Sequence, residues 1–260
     1  MQRISLANGR YFGLSVLTVA VLVAAWFVLT NTGVVGPNQL PSPQALVHEF
    51  HELLVHGYTG KSLWAHTSAS LARTLTGLGA AIVVGVPLGL LMGASPAVAA
   101  VLTPIFSFLR PVPAIALIPL VILYFGIGEF SKIFVIFITA TLYIILNASA
   151  GVKSAPQDLL RAGVNMGLNR RQLFAYVILP AAAPYVMTGI KTATAVSWAL
   201  VVASELIAAQ VGLGYMIMDA ATFYRIPDVY IAIAIIGLLG LALETCLTLL
   251  ETRVIHWRGK

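Results

Sequence analysis

Few residues in this chain could do chemistry, and most stand alone in apolar sequence. Gly60-Lys61-Ser62 ends like a phosphate-binding loop, G-x4-G-K-[ST], in which backbone N–H groups cradle phosphates. The first glycine of that loop would fall at Val55, and no strand pattern precedes it, so ATP binding is not expected here. His48, His51 and Glu52 lie within about a helical turn of one another, as metal ligands can. The order His48-Glu49-Phe50-His51 is one residue short of the zinc motif H-E-x-x-H, and a solvated helix face accounts for it better. Ser197 has no histidine within the apolar runs to activate it, which argues against an intramembrane hydrolase. Cys246 is the only cysteine, so neither a disulfide nor a cysteine metal cluster can form within one chain.

The charges inside apolar runs are the sharper signals. Arg110 precedes Pro111 and stands close to Pro113. An ionised side chain at that depth must face a cavity or a partner. Two readings stay open: Arg110, Pro111 and Pro113 line a path for an anion, or Arg110 satisfies carbonyls that the two prolines leave without donors. The second carries more weight, because broken helices leave such acceptors unpaired. Glu205 and Glu244 would repel an anion, so they are expected to be structural or gating residues.

The stretch from Pro156 to Pro180 is polar and basic between apolar runs. Pro156 suits a helix start, Leu159, Gly163 and Met166 form one stripe, and Gly167 suits a helix end. Asn169-Arg170-Arg171-Gln172 has the pattern of a capping box. Leu173, Tyr176 and Val177 would form the apolar face of a second helix, which Pro180 is expected to end. Such a helical hairpin is a docking element for another protein, and the pattern fits equally well a helix lying on lipid headgroups.

The elements that position these residues follow from composition. Of 260 residues, 59% are hydrophobic and 9% charged, far below the roughly 25% charged of soluble domains. The apolar runs are long and do not alternate, so the expected class is an all-α integral membrane protein. Six spans are predicted: 12–30, 71–92, 97–124 broken at its prolines, 133–152, 181–209 and 229–250. The first run is too long for a signal peptide, and Thr30-Asn31-Thr32-Gly33 is a poor cleavage site, so 1–30 reads as a retained span. Residues 31–65 form an outer loop with a short amphipathic helix at 43–56. The whole of 1–260 reads as one domain. Six spans put both termini on one side. That side carries Arg3, Arg10, Lys153, Arg161, Arg170, Arg171, Lys191, Arg253, Arg258 and Lys260, against Lys61, Arg73, Lys132 and Arg225 opposite, which marks it as cytoplasmic. The net charge of +6 is explained by this asymmetry rather than by nucleic acid. Arg225-Ile226-Pro227-Asp228 and Gly212-Leu213-Gly214 are expected to shape the outer loop between the last two spans.

The segment around Gly167 resembles the cytoplasmic loop E-A-A-x3-G-x9-I-x-L-P of permeases of binding-protein-dependent ABC importers. Arg161-Ala162-Gly163, Gly167, Val177 and Leu179-Pro180 keep that spacing, with Arg161 for Glu, Gly163 for Ala and Val177 for Ile. Leu109–Glu129, Ala203–Ile217 and Leu40–Phe50 resemble the sulfonate, taurine and nitrate branch, so the likeness runs from about residue 40 onward. The resemblance implies a type I importer permease with its core at about 66–255, working as a homodimer in a bacterial inner membrane. Leu159, Leu160, Arg161, Ala162, Gly163, Met166, Gly167, Leu168, Leu179 and Pro180 would dock one of two separate ATPase subunits, which bind the ATP and magnesium. An external solute-binding protein would deliver the solute. No catalytic residue, metal or cofactor is expected in this chain itself. Taurine and alkanesulfonates lead among solutes by resemblance alone, with nitrate, aromatic carboxylates and thiamine precursors as alternatives. An ion-coupled secondary transporter is a different class; it would show inverted repeats and a mid-membrane acidic relay, neither of which is evident.

Overall fold

The computed structural model describes residues 9–37 and 39–257; Arg3, Arg258 and Lys260 of the charge asymmetry lie outside them. The described chain is helical, with no strand beyond one isolated bridge. It divides into two compact units: Met1–Leu63 with Met216–Ile233, and Trp64–Tyr215 with Ala234–Lys260.

In the first unit, α1 (Gly9–Asn31) leaves the side chains of its membrane-length run almost all exposed, apolar surface that suits lipid. α2 (Pro43–His56) matches its predicted bounds. Ser42 caps it by accepting from the Ala45 N–H at 3.2 Å, and Pro43 takes the first turn, where its missing donor costs nothing. Within α2, Glu52 pairs with the exposed His56 at 3.0 Å. Gly60-Lys61-Ser62 belongs to a tight turn. Tyr58 and Lys61 exchange backbone hydrogen bonds of 2.7 and 3.0 Å across Thr59 and Gly60, both at positive φ. The buried Tyr58 hydroxyl donates to Asp219 at 2.8 Å, and burial together with that carboxylate holds the phenol above its ordinary range. Arg225 stacks 4.9 Å above the Tyr58 ring and reaches Asp228 at 2.7 Å. Of the expected loop stretch only Arg225 stays outside a helix; Ile226, Pro227 and Asp228 form a first helical turn, which the Arg225–Asp228 pair braces.

The second unit holds α3 (Leu63–Ala94), α4 (Pro96–Leu109), a 3-10 turn (Ala114–Ala116), α5 (Leu117–Phe125), α6 (Glu129–Lys153), α7 (Gln157–Asn165), α8 (Arg170–Leu173) and α9 (Leu179–Ala208). α10 (Leu213–Thr222) and α11 (Ile226–Val254) complete the chain. Among the described residues five helical runs are long and apolar enough to cross a membrane, and α4 with α5, bent by 82°, brings the number to six where the bent pair counts as one span. α3 lies so close to α6 that a Cβ on Gly77, Gly89 or Gly93 would come within 2.7 Å of Ile136, Ala148 or Val152. Without a hydrophobic drive between helices in lipid, such close backbone approach supplies the packing. α6 and α9 pair in the same way, with Gly189 against Asn147. Around them Leu78, Ala81, Ala140, Ile144 and Ala193 form one core cluster, and Ile136, Trp198, Val201 and Leu213 another.

Three expectations need correction. Pro180 does not end a helix: α8 runs through a π-helical turn at Phe174–Ile178 into α9, where Pro180 sits in the first turn. The wide turn, in which the Leu179 N–H reaches the Phe174 carbonyl, takes up the missing donor and makes room for the ring. α3 begins near residue 63 rather than 71, because His66, Thr67 and Ser70 are buried polar residues rather than loop. The segment after α9 folds as α10, with Leu213, Met216 and Ala220 fully buried.

Candidate functional site

All the sequence-predicted site residues but Glu244 fall in three places in the second unit. The first is the hairpin of α7, α8 and the π turn, at the ends of α6 and α9 that the connection between them joins. α7 closes in a Schellman motif: the Gly167 N–H bonds the Val164 carbonyl and the Leu168 N–H bonds the Gly163 carbonyl, both at 3.0 Å, with Gly167 at φ +84. The expected capping box is present, with Asn169 and Gln172 exchanging bonds of 2.9 Å. Pro156 stands just outside α7 as its cap. Gly163 is buried at the crossing, where an added Cβ would lie 2.7 Å from Leu173. The predicted stripe is thus divided. Gly163 turns inward, while Leu159, Val164 and Met166 stand 55%, 59% and 82% exposed. Tyr176 also points outward, at 72%, while Leu173 and Val177 are half-buried. Arg161 and Ala162 are exposed, Leu160, Leu168 and Pro180 half-buried, and Leu179 exposed on the continuous helix. The result is a hairpin closed by local hydrogen bonds, with Leu159, Val164, Met166 and Tyr176 exposed on it.

The second place is a charged clamp at the opposite ends of α6 and α9. Glu205, 1% exposed, accepts from Arg73 Nη1 at 2.6 Å, from the Ser70 hydroxyl at 2.8 Å and from the Gly214 N–H at 2.9 Å. Arg73 also donates to Glu129 through Nε at 2.5 Å and Nη2 at 2.7 Å, and to the Val211 carbonyl at 2.7 Å. Ser70 accepts from the Leu213 N–H at 2.9 Å, and His66 Nδ1 lies 3.2 Å from the Gly212 backbone. A Cβ at Gly212, whose φ is +140, would collide with the Glu205 carboxylate. The buried Arg73–Glu205 pair pins α3, α9 and α10 together, and the exposed Glu129 ties in α6. Arg73, Glu129, Ser70 and His66 were not singled out from the sequence. The available signal was the presence of opposite charges, Arg73 and Glu205, on two different apolar runs.

The third place is a cavity of about 410 Å³ at the bend between α4 and α5. It is lined by Arg110, Pro111 and Pro113 from the bend, by Thr139, Thr141 and Tyr143 from α6, and by Val196 from α9. The Arg110 backbone ends α4 by bonding the Phe106 carbonyl at 2.9 Å. Its exposed guanidinium makes no hydrogen bond or ion pair among the described residues, so it does not reach the carbonyls left by the prolines. The Thr141 hydroxyl is buried and has no partner. Glu244 lies apart from the clamp, exposed on α11, in a second cavity of about 420 Å³ with Lys191, Thr194 and Trp198. Lys191 is itself ion-paired with Glu251.

Comparison with known proteins identifies the family. The family described as "Binding-protein-dependent transport system inner membrane component" matches residues 85–256. The chain is 38% identical to the "Taurine transport system permease protein TauC" of Escherichia coli K12, over 96% of its own length and 92% of the relative's. It is 36% identical to the "Nitrate import permease protein NrtB" of Synechocystis, covering 92% and 88%. It is 34% identical to the "Putative aliphatic sulfonates transport permease protein SsuC" of Bacillus subtilis, covering 94% and 87%. A solved structure titled "Crystal structure of an amino acid ABC transporter with histidines" superposes with a TM-score of 0.64 at 17% identity, over 80% of this chain and 96% of that one, a likeness of fold.

Proposed function

Because the chain belongs to the family of binding-protein-dependent transport system inner membrane components, in the branch of taurine, sulfonate and nitrate permeases, we propose that it moves a small oxyanion, taurine or an alkanesulfonate, inward across the inner membrane. It is the permease subunit of an ABC importer. ATP and magnesium are bound by a separate ATPase, two copies of which dock on a homodimer of this chain, and an external solute-binding protein delivers the solute. Both termini face the cytoplasm, which places the hairpin inside and the clamp outside. Nitrate is the second solute, favoured by a nitrate-named relative of nearly equal identity.

The observation that carries this reading is the hairpin. Leu159 and Met166, seven residues apart on one stripe, are exposed on a helix fixed by Gly163 and closed by Gly167, with Val164 exposed on another face. A short helix held in this way, with apolar side chains exposed, can pass a push from a closing ATPase into α6 and α9, the helices it connects, and so shift the spans between two packings. The test is Gly167→Asp in the purified permease–ATPase complex. Open space surrounds Gly167, so the variant's strain is about 1 kcal/mol and the chain still folds. The new carboxylate stands on the docking surface, and solute-stimulated ATP hydrolysis is expected to fall to the basal rate. Full stimulation in this variant would remove the hairpin from the docking site.

A further inference from the structure

The cavity at the α4–α5 bend has the composition of a binding site rather than of a packing defect. Thr141 is the midpoint of α6 (Glu129–Lys153) and so stands about 18 Å from either helix end at 1.5 Å per residue. That is the middle of a bilayer, where transporters bind what they carry. A cation left at this depth without a partner costs about 2.5–3.5 kcal/mol on insertion scales, unless water or an anion meets it. Arg110 has no such partner in the described chain, whereas Arg73 and Lys191 in neighbouring spans each have a carboxylate. Thr141 lines the same cavity, and its buried hydroxyl is a second donor without a partner, which a buried group does not ordinarily remain. No acidic residue lines the cavity. The rest of the wall combines apolar side chains, Phe106, Phe137 and Leu142 among them, with Thr139 and Tyr143.

We propose that this cavity is a transit site for the solute's oxyanion head, held by the Arg110 guanidinium and the Thr141 hydroxyl, and that it is indifferent to the solute's amine. This rests on the importer reading and extends it. A guanidinium offers a planar fork of donors that matches two oxygens of a sulfonate or nitrate, and the hydroxyl can supply a third bond. Without a carboxylate in the cavity, no opposite charge there pairs with an ammonium. Taurine, methanesulfonate and nitrate are therefore treated alike at this point, and discrimination between them falls to the external binding protein.

The test uses the complete transporter, permease with its ATPase and solute-binding protein, reconstituted in proteoliposomes. Radiolabelled taurine taken up is measured together with ATP hydrolysed. Losing one charge-assisted bond of about 1.4 kcal/mol corresponds to a tenfold effect, so Arg110→Gln is expected to lower taurine moved per ATP about tenfold. Thr141→Val is expected to lower it about threefold, in keeping with a neutral bond of about 0.7 kcal/mol. Arg110→Lys should recover most of the loss, since the charge remains. In the permease–ATPase complex without binding protein, methanesulfonate and taurine should raise the melting temperature equally, and Arg110→Gln should abolish both shifts. The inference is overturned if taurine per ATP is unchanged in Arg110→Gln and Thr141→Val, including the case in which uptake and hydrolysis fall in step. It is equally overturned if taurine stabilises the complex and methanesulfonate does not. A wild-type transporter that takes up none of taurine, methanesulfonate or nitrate with ATP would fail the importer reading itself.

Discussion

Arg73 and Arg110 both lie on apolar spans, and the chain treats them oppositely. Arg73 is 5% exposed and shares its guanidinium among Glu205, Glu129 and the Val211 carbonyl. Arg110 lines an open cavity and bonds nothing among the described residues. A buried charge with four of its five N–H donors taken has little left for a ligand, and it serves to hold helices in register. A charge with every donor unused contributes nothing to the fold and can be committed to whatever enters. The contrast separates structure from transport within a single bundle, and substitutions at the two sites should have opposite signatures.

The largest effect on stability should come from Arg73→Met. It leaves the Glu205 carboxylate buried without its cation, a loss of about 3–5 kcal/mol. Thermal unfolding of the purified chain in detergent is expected to shift sharply downward, with poor recovery from membranes. A melting temperature within a degree or two of the parent would mean that water already reaches Glu205, and the clamp would lose its standing as the tighter of the two sites.

The clamp also shows where sequence reading stops. The six spans were legible because each is a long apolar run with turn residues at its ends, and α2 was legible because its cap and its apolar spacing are local. The hairpin was legible for the same reason: Gly167, Asn169 and Gln172 act within one or two turns of chain. Arg73, Glu129 and Glu205 meet across separations of 56 and 132 residues, and no periodicity encodes such a meeting. Residues 63–70 looked like loop because they are polar, yet their polar groups are buried against Glu205 and the Gly212–Leu213 backbone. Pro180 misled for a related reason. A proline's cost in a helix is a local rule, but the π turn that absorbs it is chosen by the packing of the whole hairpin. Arg110 was visible as an anomaly, and only the fold shows that its guanidinium meets a cavity instead of the carbonyls beside it.

Ser70→Ala should come next. It removes an acceptor from the Leu213 N–H and a donor to Glu205, both buried, which costs about 1–3 kcal/mol. The expected drop in melting temperature is smaller than for Arg73→Met. Because the two residues share Glu205, the double variant should be less unstable than the sum of the singles. Strict additivity would mean that Ser70 and Arg73 are not one network. Glu129→Gln tests the outer arm of the same clamp. The Glu129 side chain is 62% exposed, so its ion pair with Arg73 is screened and contributes no more than about 1 kcal/mol. Its effect should shrink further at 0.5 M salt, while that of Arg73→Met should not.

Arg110→Gln should have the smallest effect on stability, within about 0.5 kcal/mol, because it removes no contact the fold uses. A slight gain is compatible with this, since the substitution relieves the cost of holding an unpaired cation in a span. The melting curve of Arg110→Gln should therefore overlie the parent's under conditions where Ser70→Ala is visibly displaced. If Arg110→Gln instead destabilises the chain as much as Ser70→Ala does, Arg110 is bonded in the folded protein, and the opposition between the two arginines collapses. If the curves overlie, the residue is present at mid-membrane for a reason other than folding. An unpaired cation that costs free energy and stabilises nothing within one chain acts on something beyond it, the solute or the second copy of the permease, and the transport assay separates the two.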